Sequence, residues 1–218
     1  KTTIFPAKDG LFSLSLGIGE DANVDQGMAI NYTREMAVTL FSKKTIDSTN
    51  ECAKRLLKKN PELLIDGFVV ISDIQTKGKG TKGRVWYSRS NGGLYYSLAL
   101  VPKTFDFASI EYYHQAIAEN IQSVIHTLTN ITLTIKYPND LYLSEKKMGG
   151  ILMESAMKVS ENPVLDYLII GIGLNINQSS FPTDLSNTTT SLFIETNHTY
   201  PKRKIVKPLT KKLLTIFS

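Results

Sequence analysis

An α+β fold, a mixed sheet with helices packed on one face, is what this sequence predicts. Three observations carry the prediction. Several apolar runs of strand length are bounded by glycine, proline and polar turns. Apolar residues recur at three- and four-residue steps over 110–128 and again near the C-terminus. No internal repeat is present.

Taken in order, residues 1–36 mix short apolar patches with polar and glycine stretches and show no sustained period, so a strand or two of local decoration is expected there. A short strand follows at 37–41. Asp47-Ser48-Thr49-Asn50-Glu51 gathers helix N-cap residues ahead of Ala53, Leu56 and Leu57 at helical spacing, so a helix should run to about Lys59, where Asn60-Pro61 ends it. Capping alone would account for Ser48 and Thr49.

The apolar runs 68–74 and 94–101 read as buried strands on either side of a glycine-rich basic segment. Ile110, Tyr113, Ile117, Ile121, Val124, Ile125 and Leu128 then mark the longest amphipathic helix. Its histidines, His114 and His126, have no cysteine or carboxylate partner in the pattern, so a Ser-His-Asp or Cys-His site is not supported. Leu133 and Ile135 alternate with threonines in a half-exposed strand. Residues 141–143 and 150–157, with a turn at 144–146, read as a β-hairpin, and 165–174 is apolar enough for a central strand. Gly171-Ile172-Gly173 lacks the third glycine of a dinucleotide fingerprint. A polar loop at 178–190 and a closing helix at 202–217, with Pro208 near its start, complete the chain.

The chemistry concentrates in the basic segment, which includes Gln75-Thr76-Lys77-Gly78-Lys79-Gly80-Thr81-Lys82-Gly83-Arg84-Val85-Trp86. Gly78, Gly80 and Gly83 would let the backbone take positive φ and turn N–H groups inward, while Lys77, Lys79, Lys82 and Arg84 match phosphate or carboxylate. An anionic small ligand is the functional reading, and a merely solvated loop is the bland one. A P-loop is excluded because Arg84 and Val85 stand where Lys and Ser/Thr are required. A nucleic-acid surface using Trp86, Tyr87, Tyr95 and Tyr96 would need a wider basic field.

With 218 residues, 42% hydrophobic, the chain can bury the core of one globular domain. Its net charge of +5 is a modest bias toward anionic partners, too weak for DNA binding. One cysteine forms no internal disulfide, and no Cys/His cluster has metal-ligand spacing, so a cytoplasmic protein without structural metal is expected. No apolar run reaches the roughly 20 residues of a membrane span.

Four stretches, in this order, resemble the catalytic domain of the biotin protein ligases, in the superfamily shared with lipoate ligases. They are Asp47-Ser48-Thr49-Asn50; Gln75 with the loop 78–86; Lys136-Tyr137-Pro138-Asn139-Asp140 with Lys147-Met148-Gly149-Gly150; and Gly171-Ile172-Gly173-Leu174-Asn175. The resemblance spans 37–218 and leaves 1–36 as an extension. It implies a mainly antiparallel sheet of the class II aminoacyl-tRNA synthetase and biotin synthetase type. It also implies ATP-dependent activation of biotin to biotinyl-5′-AMP and transfer to a lysine of a biotin carboxyl carrier domain, with Mg²⁺, in the cytoplasm, without nucleic acid or membrane. A homodimer is compatible with it. No DNA-binding domain fits into 1–36, and the C-terminal β-barrel domain of many members does not fit after the closing helix, so a repressor role is not expected.

By the same resemblance Ser48, Thr49, Gln75, Gly78, Lys79, Gly150 and Gly171 would hold biotin. Arg84, Trp86, Asn139, Lys147 and Asn175 would hold the nucleotide. Lys147, Arg84 and Asp140 would be catalytic, with Lys147 between the biotin carboxylate and the α-phosphate and Asp140 serving Mg²⁺ or the incoming amine. Two positions depart from the family: Thr81 stands where an arginine is usual, and Tyr137 replaces a common tryptophan. Lipoate or octanoyl transfer is the alternative activity.

Overall fold

The computed structural model describes residues 4–6, 12–18, 36–89, 91–159 and 164–218. The strands are β1 (Ile4–Pro6), β2 (Phe12–Ile18), β3 (Met36–Ile46), β4 (Phe68–Gln75), β5 (Gly93–Leu100), β6 (Thr134–Lys136), β7 (Asp140–Leu143), β8 (Lys146–Lys158) and β9 (Val164–Asn175). The helices are α1 (Thr49–Lys59), α2 (Ile110–Thr129), α3 (Thr183–Ser186), α4 (Leu192–Thr196) and α5 (Arg203–Ile216). Among the described residues nine strands form one sheet, in the order β1-β2-β3-β4-β5-β9-β8-β7-β6. Every neighbouring pair is antiparallel except β3 with β4.

The α+β class and mixed sheet are as expected, but the helices do not share one face. Alternate residues Leu94, Tyr96, Leu98 of β5 and Leu168, Ile170, Ile172, Leu174 of β9 pack with Ile117, Ile121, Val124 and Ile125 of α2 and Ile205, Leu209 and Leu213 of α5. The opposite face carries Phe68, Val70, Ala99 and Ile169, covered by Cys52, Ala53 and Leu57 of α1. The parallel β3–β4 pair explains this. Parallel strands need a crossover, α1 is that crossover, and its apolar stripe covers the second face. Each fully buried aliphatic side chain of these layers contributes about 1.5–3 kcal/mol relative to exposure.

Several elements are longer than their patterns indicate. β3 runs on through Lys43 and Lys44 because the pairing with β4 continues to Ile46 opposite Gln75. β8 starts at Lys146, four residues before the expected point, since Lys146 and Lys147 already pair with β7. The polar loop 178–190 contains α3, and α4 follows it. Among the described residues no helix is long and apolar enough to cross a membrane.

One ammonium braces the framework beside the site. Lys202 Nζ donates to Asp73 Oδ1 at 2.7 Å, to the Asn91 carbonyl at 3.0 Å and to the Gly93 carbonyl at 3.1 Å. It joins the start of α5 to β4 and to the entry of β5.

Candidate active site

The sheet face that α1 covers is open beyond the first turn of that helix, where Gly150, Leu152 and Gly173 come side by side on β8 and β9. A cavity of about 180 Å³ lies there, lined among others by Lys79, Arg84, Trp86, Asn139, Asp140, Lys147, Gly150 and Asn175. Of the residues expected at a site, these eight share one wall system. Ser48, Thr49, Gln75, Gly78 and Gly171 do not line the cavity and form an adjoining buried group.

That buried group is held by one amide. Gln75 Oε1 accepts from the Thr49 backbone N–H at 2.7 Å and from Thr49 Oγ1 at 3.2 Å. Gln75 therefore satisfies an orphan N–H at the start of α1 from across the fold. Ser48 is the N-cap but makes no side-chain cap hydrogen bond, so capping does not account for its hydroxyl. Gly78 is required by close approach, since a Cβ there would meet Ser88 Oγ and lie 2.5 Å from the Trp86 carbonyl. Gly171 faces the Asn50 amide, against which a Cβ would collide. Asn50 in turn donates to Glu154 Oε2 at 2.7 Å and accepts from Ser97 Oγ. Asn50 stood out only within the N-cap cluster and the first of the four stretches, and Glu154 and Ser97 had no signal in the sequence, because the role of each is defined by a partner on a distant strand.

The glycine loop is a ladder more than a cradle. Gln75 N–H donates to Ser88 O, Trp86 N–H to Gly78 O at 3.0 Å and Gly80 N–H to Arg84 O at 2.7 Å. These N–H groups are used within the loop and are not turned inward. Positive φ falls at Gly83 (φ 73), as expected, and at Lys82 (φ 56), which was not, while Gly80 is extended and Gly78 is not at positive φ. Two of the loop's cations have protein partners. Lys79 Nζ donates to Glu51 Oε1 at 2.6 Å, and Arg84 donates through Nε to the Thr81 carbonyl and through Nη2 to Thr81 Oγ1 at 2.8 Å. The ammonium of Lys79 and then that of Lys54 hold the Glu51 carboxyl below its usual range.

Across the cavity Lys147 Nζ donates to Asp140 Oδ1 at 2.6 Å and lies 5.5 Å from the centre of the Trp86 ring. The indole rests on β8 and β9: a Cβ on Gly173 would be 2.6 Å from it and one on Gly150 3.1 Å. Trp86 Nε1 is buried with no partner among the described residues. Asn139 Nδ2 is engaged with the Ile151 carbonyl, leaving its oxygen. Asn175 Oδ1 accepts from Gln178 Nε2 at 3.0 Å.

Segment 181–190, read only as a polar loop, completes the wall with Phe181, Leu185 and Thr189. It grips the Lys147 backbone on both sides, Lys147 N–H donating to Thr188 O at 2.8 Å and Thr190 N–H to Lys147 O at 3.0 Å. Tyr87 meets Phe181 edge-on at 6.3 Å, so the glycine loop and this segment touch. No local pattern marks such contacts. Among the described residues no group of three or more His, Cys, Asp or Glu side chains could hold a metal ion.

An arrangement with cations on two walls, one carboxylate and an aromatic floor can bring two anions together. The chain is similar to known proteins of one family. Residues 42–175 match the model of the biotin/lipoate A/B protein ligase family. A bifunctional ligase/repressor BirA of Bacillus spizizenii is 36% identical over 162 residues, 73% of this chain and 48% of that protein. The human biotin–protein ligase is 28% identical over 154 residues, 68% of this chain and 20% of that one. The chain thus spans about half the length, or less, of these curated relatives. A biotin protein ligase from Aquifex aeolicus, solved with biotin and ATP, superposes with a TM-score of 0.66 at 32% identity, over 82% of this chain and 71% of that one. On the match of its central 134 residues, 42 through 175, the chain belongs to the biotin/lipoate A/B protein ligase family.

Proposed function

We propose that the protein is a biotin–protein ligase: it joins biotin to ATP, giving biotinyl-5′-AMP and pyrophosphate, and passes the biotinyl group to a lysine of a biotin carboxyl carrier domain. The observation that carries this reading is that Lys147 and the loop cations Lys79 and Arg84, far apart in sequence, line one cavity with Trp86. In the first step a biotin carboxylate oxygen attacks the α-phosphorus and the bond to pyrophosphate breaks. Both reactants are anions, and fixed ammonium and guanidinium groups reduce their repulsion where charge builds up. Arg84 offers a fork suited to phosphate or carboxylate oxygens, and Lys147 a point charge whose backbone is fixed by Thr188 and Thr190. In the second step the carrier's amine attacks the acyl carbon, AMP leaves, and Asp140 can accept the proton that the amine sheds.

The buried polar group of Ser48, Thr49 and Gln75 suits an uncharged ureido ring, which needs neutral donors and acceptors. That feature, with relatives named as biotin ligases, favours biotin over lipoate. Magnesium would come with ATP. Asp140, the carboxylate among the cavity-lining residues, suits an ion held mainly by triphosphate oxygens and water rather than by a protein cage. ATP–pyrophosphate exchange tests the reading. It should require biotin and be unsupported by lipoate; exchange with lipoate alone, or with neither acid, would overturn it.

A further inference from the structure

Asn175 ends β9, is 2% exposed and lines the cavity, and its amide could present either edge to a ligand. One neighbour decides which. Gln178 Nε2 donates to Asn175 Oδ1 at 3.0 Å, and no described residue bonds Asn175 Nδ2, so the nitrogen is the edge left for the cavity. Gln178 is itself 1% exposed and fixed at its backbone. Its carbonyl accepts from Ser191 Oγ at 2.6 Å, and Gly92 packs so closely on its N–H that a Cβ would collide. The same side chain hydrogen-bonds the Tyr95 phenol of β5.

The arrangement leaves Gln178 Oε1 buried with no partner among the described residues. Such atoms are uncommon in folded proteins, and a buried amide that carries this penalty points to function rather than packing. A methionine of similar shape would satisfy the packing alone. What methionine cannot do is hold the Asn175 oxygen.

We propose that Gln178 is a positioning residue that fixes the Asn175 amide with its nitrogen toward the cavity, so that the wall offers a hydrogen-bond donor to a ring nitrogen of a purine nucleotide. The proposal rests on the nucleotide-binding reading above and deepens it. Asn175 touches the base, and Gln178 acts through Asn175.

The test is ATP binding to the full chain, followed by the fluorescence of Trp86, the one tryptophan of the sequence, which lines the same cavity. Gln178→Met should raise the Kd for ATP about tenfold, as expected when one hydrogen bond is lost. The Kd for biotin should stay within about twofold, and Tm should fall modestly, because Asn175 Oδ1 and the Tyr95 phenol lose a partner while the unpaired Gln178 oxygen is removed. In an Asn175→Ala background Gln178→Met should cause no further loss, since its effect passes through that amide. An ATP Kd unchanged in folded Gln178→Met, a further loss in the Asn175→Ala background, or equal losses for ATP and biotin would each overturn the proposal. A wild-type protein that binds ATP but catalyses no biotin-dependent exchange would overturn the proposed function alone, and the same Kd comparison would still judge Gln178.

Discussion

Lys147 Nζ and Asp140 Oδ1 lie 2.6 Å apart, on neighbouring strands β8 and β7, with the centre of the Trp86 ring 5.5 Å from the ammonium. The amine is thereby aimed at a fixed point although its side chain is flexible. Lys147→Ala should slow biotin-dependent ATP–pyrophosphate exchange by about 10²–10³, the usual loss for one preorganised electrostatic contact. Asp140→Asn keeps the shape but not the charge, and should slow transfer to the carrier more than exchange. Exchange at the wild-type rate in Lys147→Ala would remove that residue from the mechanism.

Thr81 supplies both oxygens that hold Arg84. An arginine there, as is usual in the family, would add a cation able to reach the adenylate. Thr81→Arg should release labelled biotinyl-5′-AMP about ten- to a hundredfold more slowly, the value of one charge-assisted hydrogen bond. Equal release from the two proteins would count against it.

Lys79 ties the glycine loop to α1 through Glu51, a half-exposed contact that an anionic ligand can replace. Such pairs are worth roughly 0–1 kcal/mol, so the loop should open often enough for a protease. Trypsin cleavage after Lys79, Lys82 or Arg84 should be faster in Glu51→Gln than in the wild type, and biotin with ATP should slow it in both. Cleavage indifferent to ligand would rule out closure of the loop over the site.

Asp47 takes two guanidinium hydrogen bonds from Arg55, at 2.7 Å each, and chiefly for that reason its carboxyl falls from the usual 3.8 to about 2. A depressed folded-state pKa means stability that is present above the unfolded value and lost as pH falls through the folded one. Asp47→Asn should therefore be less stable at pH 7 by about 1 kcal/mol, a figure reduced for solvent screening of this partly exposed pair. Urea unfolding should show the gap between the two proteins closing between about pH 4 and pH 2.

Local patterns sufficed for much of this fold. The N-cap cluster before Ala53 marked α1, and the three- and four-residue steps from Ile110 marked α2, because apolar periodicity is a property of neighbours in the chain. The side of the sheet that α1 covers was not legible, since it follows from β3 pairing in parallel with β4. The site divides the same way. Lys79, Arg84 and Lys147 stand out as cations among glycines, whereas Glu51, Asn50 and Gln178 acquire their roles only from partners that folding delivers. Trp86 was visible as an aromatic in a basic loop; that Gly150 and Gly173 are its seat was not.

Because α5 and the cavity occupy opposite faces of one sheet, the two sides of the molecule can be handled independently. Lys207 and Lys211 are exposed on that helix. A linker coupled to either would anchor the protein to a bead or chip by its back, with the mouth of the cavity turned to the surrounding solution and room there for a protein-sized visitor.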